Sequence, residues 1–209
     1  GAMAEVSLFE KLRLRVSVTR QDGEGTDQVY PIRPSRSGKE ARMTENSPAP
    51  ASTPADSEQL HVFTTIDEVG SIEGRAFGPS TWRAIPQEDI DLYAQLSGDD
   101  NPIHVDAEAA AKSPFGGRIA HGMLTLSMVV PHLREIYKVS GTSTGIVYGF
   151  NKIRFPNAVP SGASIRVRGT VAKVEEIPGG WQVTLALVFE VEGATKPAVA
   201  AELVLRHYK

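Results

Sequence analysis

Residues 123–137, MLTLSMVVPHLREIY, constrain the fold more than any other stretch of the chain. The run is apolar almost all round in its first two turns. A surface helix keeps a polar face, so a helix of this kind belongs in the interior. Pro131 lies inside it, and because proline lacks the N–H that a helix needs, a kink or local break is expected there. Four strand-like runs follow, at 145–155, 164–177, 181–191 and 198–206. The third alternates, with Trp181, Val183, Leu185, Leu187, Phe189 and Val191 on one side and Gln182, Thr184 and Glu190 on the other. Pro178-Gly179-Gly180 and residues 192–197 supply turns, so the four runs predict an antiparallel meander. A buried helix and a meander together predict an α+β domain, a sheet wrapped around a central helix. One sheet face is left for a second subunit.

Upstream of that helix, residues 61–69 and 72–78 read as a lead-in and residues 81–85 as a strand. Pro86 opens a helix that runs to Leu96, with Ile90, Tyr93 and Ala94 on one face and Gly98 as its C-terminal stop. Asp106 can cap a short helix that ends at Ala111. The packed domain is therefore expected over 58–209. Residues 1–57 read as a separate stretch: Gly1-Ala2 resembles the remnant of a cleaved tag, and residues 12–19 alternate as one strand would. Residues 43–57, MTENSPAPASTPADS, hold no large apolar side chain and are expected to be a disordered linker. Met43 offers an alternative start. No repeat at a solenoid period is present.

Charge excludes one class of function. Residues 1–42 carry 8 Lys/Arg against 6 Asp/Glu, leaving 14 against 19 for residues 43–209. A net of −5 over the body of the chain is the opposite of a nucleic-acid footprint. Cysteine is absent, which removes disulfides and thiolate metal sites. No apolar run approaches the roughly 20 residues that span a bilayer, and no signal-peptide core is present. The expectation is a soluble, cytoplasmic protein with no membrane insertion.

Residues 93–122, YAQLSGDDNPIHVDAEAAAKSPFGGRIAHG, hold the candidate chemistry. Asn101-Pro102 separates Asp99 from His104, and proline drives the residue before it into extended backbone, so this segment is expected to be a loop. A bent loop can aim a carboxylate and an imidazole at one water, the arrangement that general acid–base chemistry needs. The plainer alternative is a turn built from residues that suit turns, with His104 incidental beside the Asp106 cap. No third histidine at ligand spacing and no HExxH pattern points to a metal. If the apolar helix begins after Gly122, the glycine N–H is an unpaired donor that can face a developing oxyanion; otherwise Gly122 only allows close packing.

Taken together, SGDDNPIHVD, PFGGRIAHGMLTLS and FNKIRFPNAVPSG resemble the MaoC-like, or (R)-specific enoyl-CoA hydratase, branch of the hot-dog-fold proteins, in particular the single-domain group that includes NodN-like dehydratases. The likeness runs from about Thr65 to the C-terminus. It implies a long antiparallel sheet around a central helix, in a homodimer joined through sheet edges. It also implies that Asp99 and His104 bind and activate water and that Gly122 N–H receives the thioester oxygen. Asn101 and His121 would shape and support the loop at the substrate. The reaction implied is reversible hydration of a trans-2-enoyl-CoA to a (3R)-hydroxyacyl-CoA, with no cofactor beyond the coenzyme A of the substrate. Acyl carrier protein is the other possible carrier.

Lys112, Arg118, Lys152 and Arg154 are the candidate cations for the coenzyme A phosphates, although exposed Lys and Arg are common on any surface. Asp100 departs from the pattern of many relatives, which are apolar there, and is expected to face solvent. His61, His132 and His207 are read as structural or solvent-facing, Trp82 and Trp181 as core or sheet-face residues, and Tyr93 as packing. Two alternatives share the fold: an acyl-CoA thioesterase, and a non-catalytic acyl-thioester-binding subunit.

Overall fold

The computed structural model describes residues 60–209. The readings for residues 1–57, including the strand at 12–19 and the linker at 43–57, lie outside those residues. Eight strands and five α-helices follow in the order β1 (Val62–Thr65), β2 (Ala76–Phe77), β3 (Arg83–Ala84), α1 (Gln87–Ser97), α2 (Pro102–Val105), α3 (Ala107–Ala111), α4 (Gly122–Ser127), α5 (Val129–Ile136), β4 (Tyr137–Ser140), β5 (Thr144–Arg154), β6 (Ser164–Ile177), β7 (Gly180–Val191) and β8 (Val199–Tyr208).

The main sheet runs β2-β6-β7-β8-β5, with β3 also pairing with β6. Strands β6, β7 and β8 form the expected antiparallel meander, with Val183 opposite both Val174 and Leu205. The first long strand does not join the meander at its start. β5 pairs antiparallel with β8 and forms the far edge of the sheet. Residues 155–163 separate β5 from β6, and such a connection can cross the sheet where a two-residue turn cannot.

The inner sheet face and the central helices make one core. Val167, Val171, Val183, Leu185, Leu187, Phe189 and Leu203 are fully buried, and Leu124, Leu126, Val129, Leu133 and Ile136 pack within the same cluster. Burying each such side chain contributes roughly 1.5–3 kcal/mol. The central helix is not continuous. It breaks at Met128, three residues before Pro131, and Pro131 then occupies the first turn of α5. The missing proline N–H would have bonded the carbonyl of Ser127, so the ladder fails one turn before the proline itself. The helix also ends at Ile136: Tyr137 has extended backbone (φ −138°, ψ 128°) and opens β4, which pairs in parallel with β1.

Local signals upstream agree closely with the sequence. Gly98 ends α1 at φ +75°, the left-handed conformation that glycine adopts without penalty, and its N–H bonds Ala94 O. Asp106 caps α3 by accepting from the N–H groups of Glu108 and Ala109. Among the described residues no helix is long and apolar enough to cross a membrane.

The histidines outside the site are structural or, for His61, exposed. His132 is fully buried with Nδ1 2.8 Å from Ser80 Oγ, which accepts from Val167 N. His207 is buried 3.1 Å from the Tyr137 hydroxyl. Trp181 is partly buried against the core, whereas Trp82 lies at the surface under the Arg166 guanidinium, 4.4 Å from the ring centroid.

Candidate active site

The segment after Gly98 is extended at Asn101, as its proline requires, with φ −51° and ψ 129°. It does not continue as a loop. Pro102 sits in the first turn of α2, where a missing N–H costs nothing, and Asn101 Oδ1 accepts from Ile103 N at 3.2 Å. His104 therefore stands on a one-turn helix. Its ring is buried, 7% exposed. The carbonyl of Ile119 lies 2.8 Å from His104 Nδ1. A carbonyl only accepts, so Nδ1 carries a proton and Nε2 is the ring nitrogen left for other partners.

His121, 2% exposed, forms a second layer. Its ring stacks on that of His104 with centroids 3.8 Å apart and planes 29° apart. Its Nε2 lies 2.9 Å from the Asp99 carbonyl, to which it must donate. Tyr93, partly buried against the core, packs on His121 with ring centroids 4.8 Å apart. One ligand-type atom from each of Asp99, His104 and His121 falls within 4.8 Å of the others. Asp99 itself is exposed, so an acid at the surface edge meets a base in the interior. Asp100 is also exposed, as expected. The resemblance set His121 beside this loop, and the fold stacks its ring on His104, a contact that no spacing predicts.

His104 and Gly122 line one pocket of about 210 Å³ with Phe115, Ile119, Ala120, Thr125, Phe155, Asn157, Ala158, Val159 and Ala198. Gly122 is the first residue of α4, where a backbone N–H has no partner within the helix. Phe155 fits against it so closely that a methyl group at Gly122 would sit 3.0 Å from ring carbon Cδ1. The Thr125 hydroxyl donates to His121 O at 3.0 Å and fastens the first turn of α4 to the histidine before it.

The four candidate cations separate into two pairs. Lys112 lies 2.6 Å from Glu108 and Lys152 lies 2.9 Å from Glu202, each on the surface. Arg118 directly precedes Ile119, and Arg154 directly precedes Phe155, both pocket residues. Arg154 Nη1 donates to Ile153 O at 2.6 Å. Phe155 and Asn157, within the stretch FNKIRFPNAVPSG, were not singled out by the sequence, because no local pattern shows that the β5–β6 connection returns to the pocket.

The model of the MaoC like domain matches residues 68–189. The chain is 39% identical over 149 residues to 3-hydroxyacyl-thioester dehydratase Z of Mycobacterium tuberculosis, covering 71% of this chain and 99% of that protein. It is 35% identical over 147 residues to nodulation protein N of Rhizobium meliloti, covering 67% of this chain and 89% of that protein. Among solved structures, an R-hydratase from Pseudomonas aeruginosa superposes with a TM-score of 0.53 at 29% identity, over 66% of this chain and 82% of that one. With its hot-dog fold and a domain match over most of residues 60–209, the chain belongs to the MaoC-like dehydratase family.

Proposed function

We propose that the protein is an (R)-specific enoyl-thioester hydratase, a hydro-lyase that adds water reversibly to a trans-2-enoyl-CoA and yields a (3R)-hydroxyacyl-CoA. The observation that carries this reading is the His104 ring, held through Nδ1 by the Ile119 carbonyl, in the same pocket as Gly122. The thioester carbonyl withdraws electron density and makes C3 electrophilic. Water held between Asp99 and His104 adds its oxygen to C3 as it gives up a proton, and the C2–C3 π electrons move toward the carbonyl. Gly122 N–H stabilises the charge on the thioester oxygen, an effect worth about 3 kcal/mol. A proton delivered to C2 from the same side completes the addition.

The pocket walls suit this chemistry. Ile119, Val159 and Ala198 are buried apolar residues that can take the acyl chain, and water exclusion strengthens the polar contacts at the thioester. Arg118 and Arg154, next to pocket residues in the chain, are the better placed of the four cations for the coenzyme A phosphates. In addition, β5 is an edge strand of 11 residues with Ile146, Val147 and Tyr148 exposed by 41%, 50% and 56%. Long exposed edges of this kind are normally paired or protected, so β5 is the surface assigned to a homodimer.

Product analysis tests the reaction. Incubation with crotonyl-CoA is expected to give 3-hydroxybutyryl-CoA, oxidised by a dehydrogenase specific for the 3R enantiomer and not by one specific for 3S. Release of free thiol without hydroxyacyl product would instead identify a thioesterase.

A further inference from the structure

We infer that Gln87 is a positioning residue for His104, acting from the first turn of α1 through the main-chain carbonyl of the catalytic histidine. Gln87 Nε2 lies 2.8 Å from His104 O and 2.7 Å from Asp91 Oδ1. Both partners only accept, so the orientation of the carboxamide is fixed, with its NH2 group toward them. Asp91, one turn along the same helix, sets the rotamer of Gln87, and Gln87 in turn holds His104.

Two features show that this is more than a surface contact. First, Gln87 Oε1 is buried and has no hydrogen-bond partner among the described residues. An orphaned buried acceptor disfavours the fold, so the arrangement keeps the NH2 group on His104 against a local cost. Second, His104 lies in the last turn of a four-residue helix, too short to bond its own terminal carbonyls. The residue is thus held at four points: the N–H by Asn101 O, the carbonyl by Gln87, Nδ1 by Ile119 O, and the ring face by His121. Ile119 and His121 lie on the strand-like approach to α4, whereas Gln87 is the tie to α1. Without it the α2 turn can rotate on its remaining anchors and carry Nε2 away from the water.

Two variants test this. Gln87→Met keeps the length of the side chain and removes both donors. Gln87→Glu keeps the shape and can donate to His104 O only when its carboxyl is protonated, a state favoured by the adjacent Asp91 carboxylate. For Gln87→Met, kcat with crotonyl-CoA is expected to fall about 10- to 100-fold with KM nearly unchanged, the scale of a small misplacement of a reacting group. For Gln87→Glu, the ratio of its kcat to that of the wild type is expected to be higher near pH 5 than near pH 8 by about fivefold or more, as the carboxyl gains its proton. Taking the ratio removes the pH effects that variant and wild type share, and this arm stands even if the Met variant folds poorly.

The kinetic arm rests on the hydratase reading; a second readout does not. The Nδ1–H proton of His104, identified by its loss in His104→Gln, is expected to give a protected NMR resonance in the wild type that exchanges faster in Gln87→Met. A wild type without hydratase activity would refute the function and leave this resonance as the test of Gln87. Unchanged kcat and an unchanged resonance, with only a lower melting temperature, would reduce Gln87 to a helix-end contact and overturn the inference.

Discussion

The imidazole rings of His104 and His121 stack at 3.8 Å, and their N–H groups point to two different carbonyls, Ile119 O and Asp99 O. The proposed base, His104, is thereby held through Nδ1, and His121 ties down the backbone of Asp99.

His121 is therefore expected to matter for rate rather than for binding. His121→Phe keeps the stack on His104 and loses the bond to Asp99 O. Its kcat should fall about tenfold, the lower end of a misplaced acid–base pair, while KM for crotonyl-CoA changes little; steady-state kinetics measure the split.

Gly122 and Phe155 form a steric pair. Gly122→Ala places a methyl 3.0 Å from the Phe155 ring and pushes either the ring or the start of α4 out of position. A loss of about a hundredfold in kcat/KM is expected, comparable with removal of one oxyanion donor. Gly122→Ala combined with Phe155→Leu should recover most of that loss. A double variant as slow as the single one would show that the methyl, not the ring, blocks the site.

Stability should fall in acid because of His132. Burial, followed by the nearby Arg83 charge, lowers its pKa from 6.5 to about 4, with Glu135 acting weakly in the opposite sense. The unfolded state then binds more protons than the folded state between these values, so folding stability is full above pH 6.5 and declines as pH falls toward 4. From about pH 6.5 to pH 5 the loss from this residue is about 2 kcal/mol. Burial also lowers the pKa of His207, which adds loss of the same sign. Urea denaturation of wild type and His132→Gln over this range should show a shallower pH dependence in the variant.

The β5 edge gives a prediction about assembly. Val147→Asp places a charge in the exposed edge, where it opposes strand pairing. Sedimentation is expected to show a dimer for the wild type and a monomer for the variant.

Much of the fold was legible in the sequence because its signals are local. Residues 164–177 coincide with β6, the period-two pattern of Trp181–Val191 with β7, and Gly98 and Asp106 mark a helix end and a helix cap. The pairing of β5 with β8 was not legible, since it depends on where the 155–163 connection crosses and on no residue within β5. Pro131 broke the helix a turn early, through the carbonyl of Ser127, and Pro102 excluded helix before itself but opened one after. In the site, Asp99, His104 and Gly122 stood out by motif and spacing, whereas the stacking of His121 on His104 and the bond from Gln87 across 17 positions have no sequence period. Lys112 and Lys152 each pair with an acidic neighbour on the surface, Glu108 and Glu202.

The most direct measurement is the ultraviolet absorbance of the conjugated enoyl thioester when the protein meets crotonyl-CoA, run beside Asp99→Asn. The expected result is a steady fall with the wild type, and in the variant a kcat lower by about 10²- to 10⁴-fold with an unchanged melting temperature. Hydration by Asp99→Asn at the wild-type rate would contradict the assignment of this acid and, with it, the proposed site.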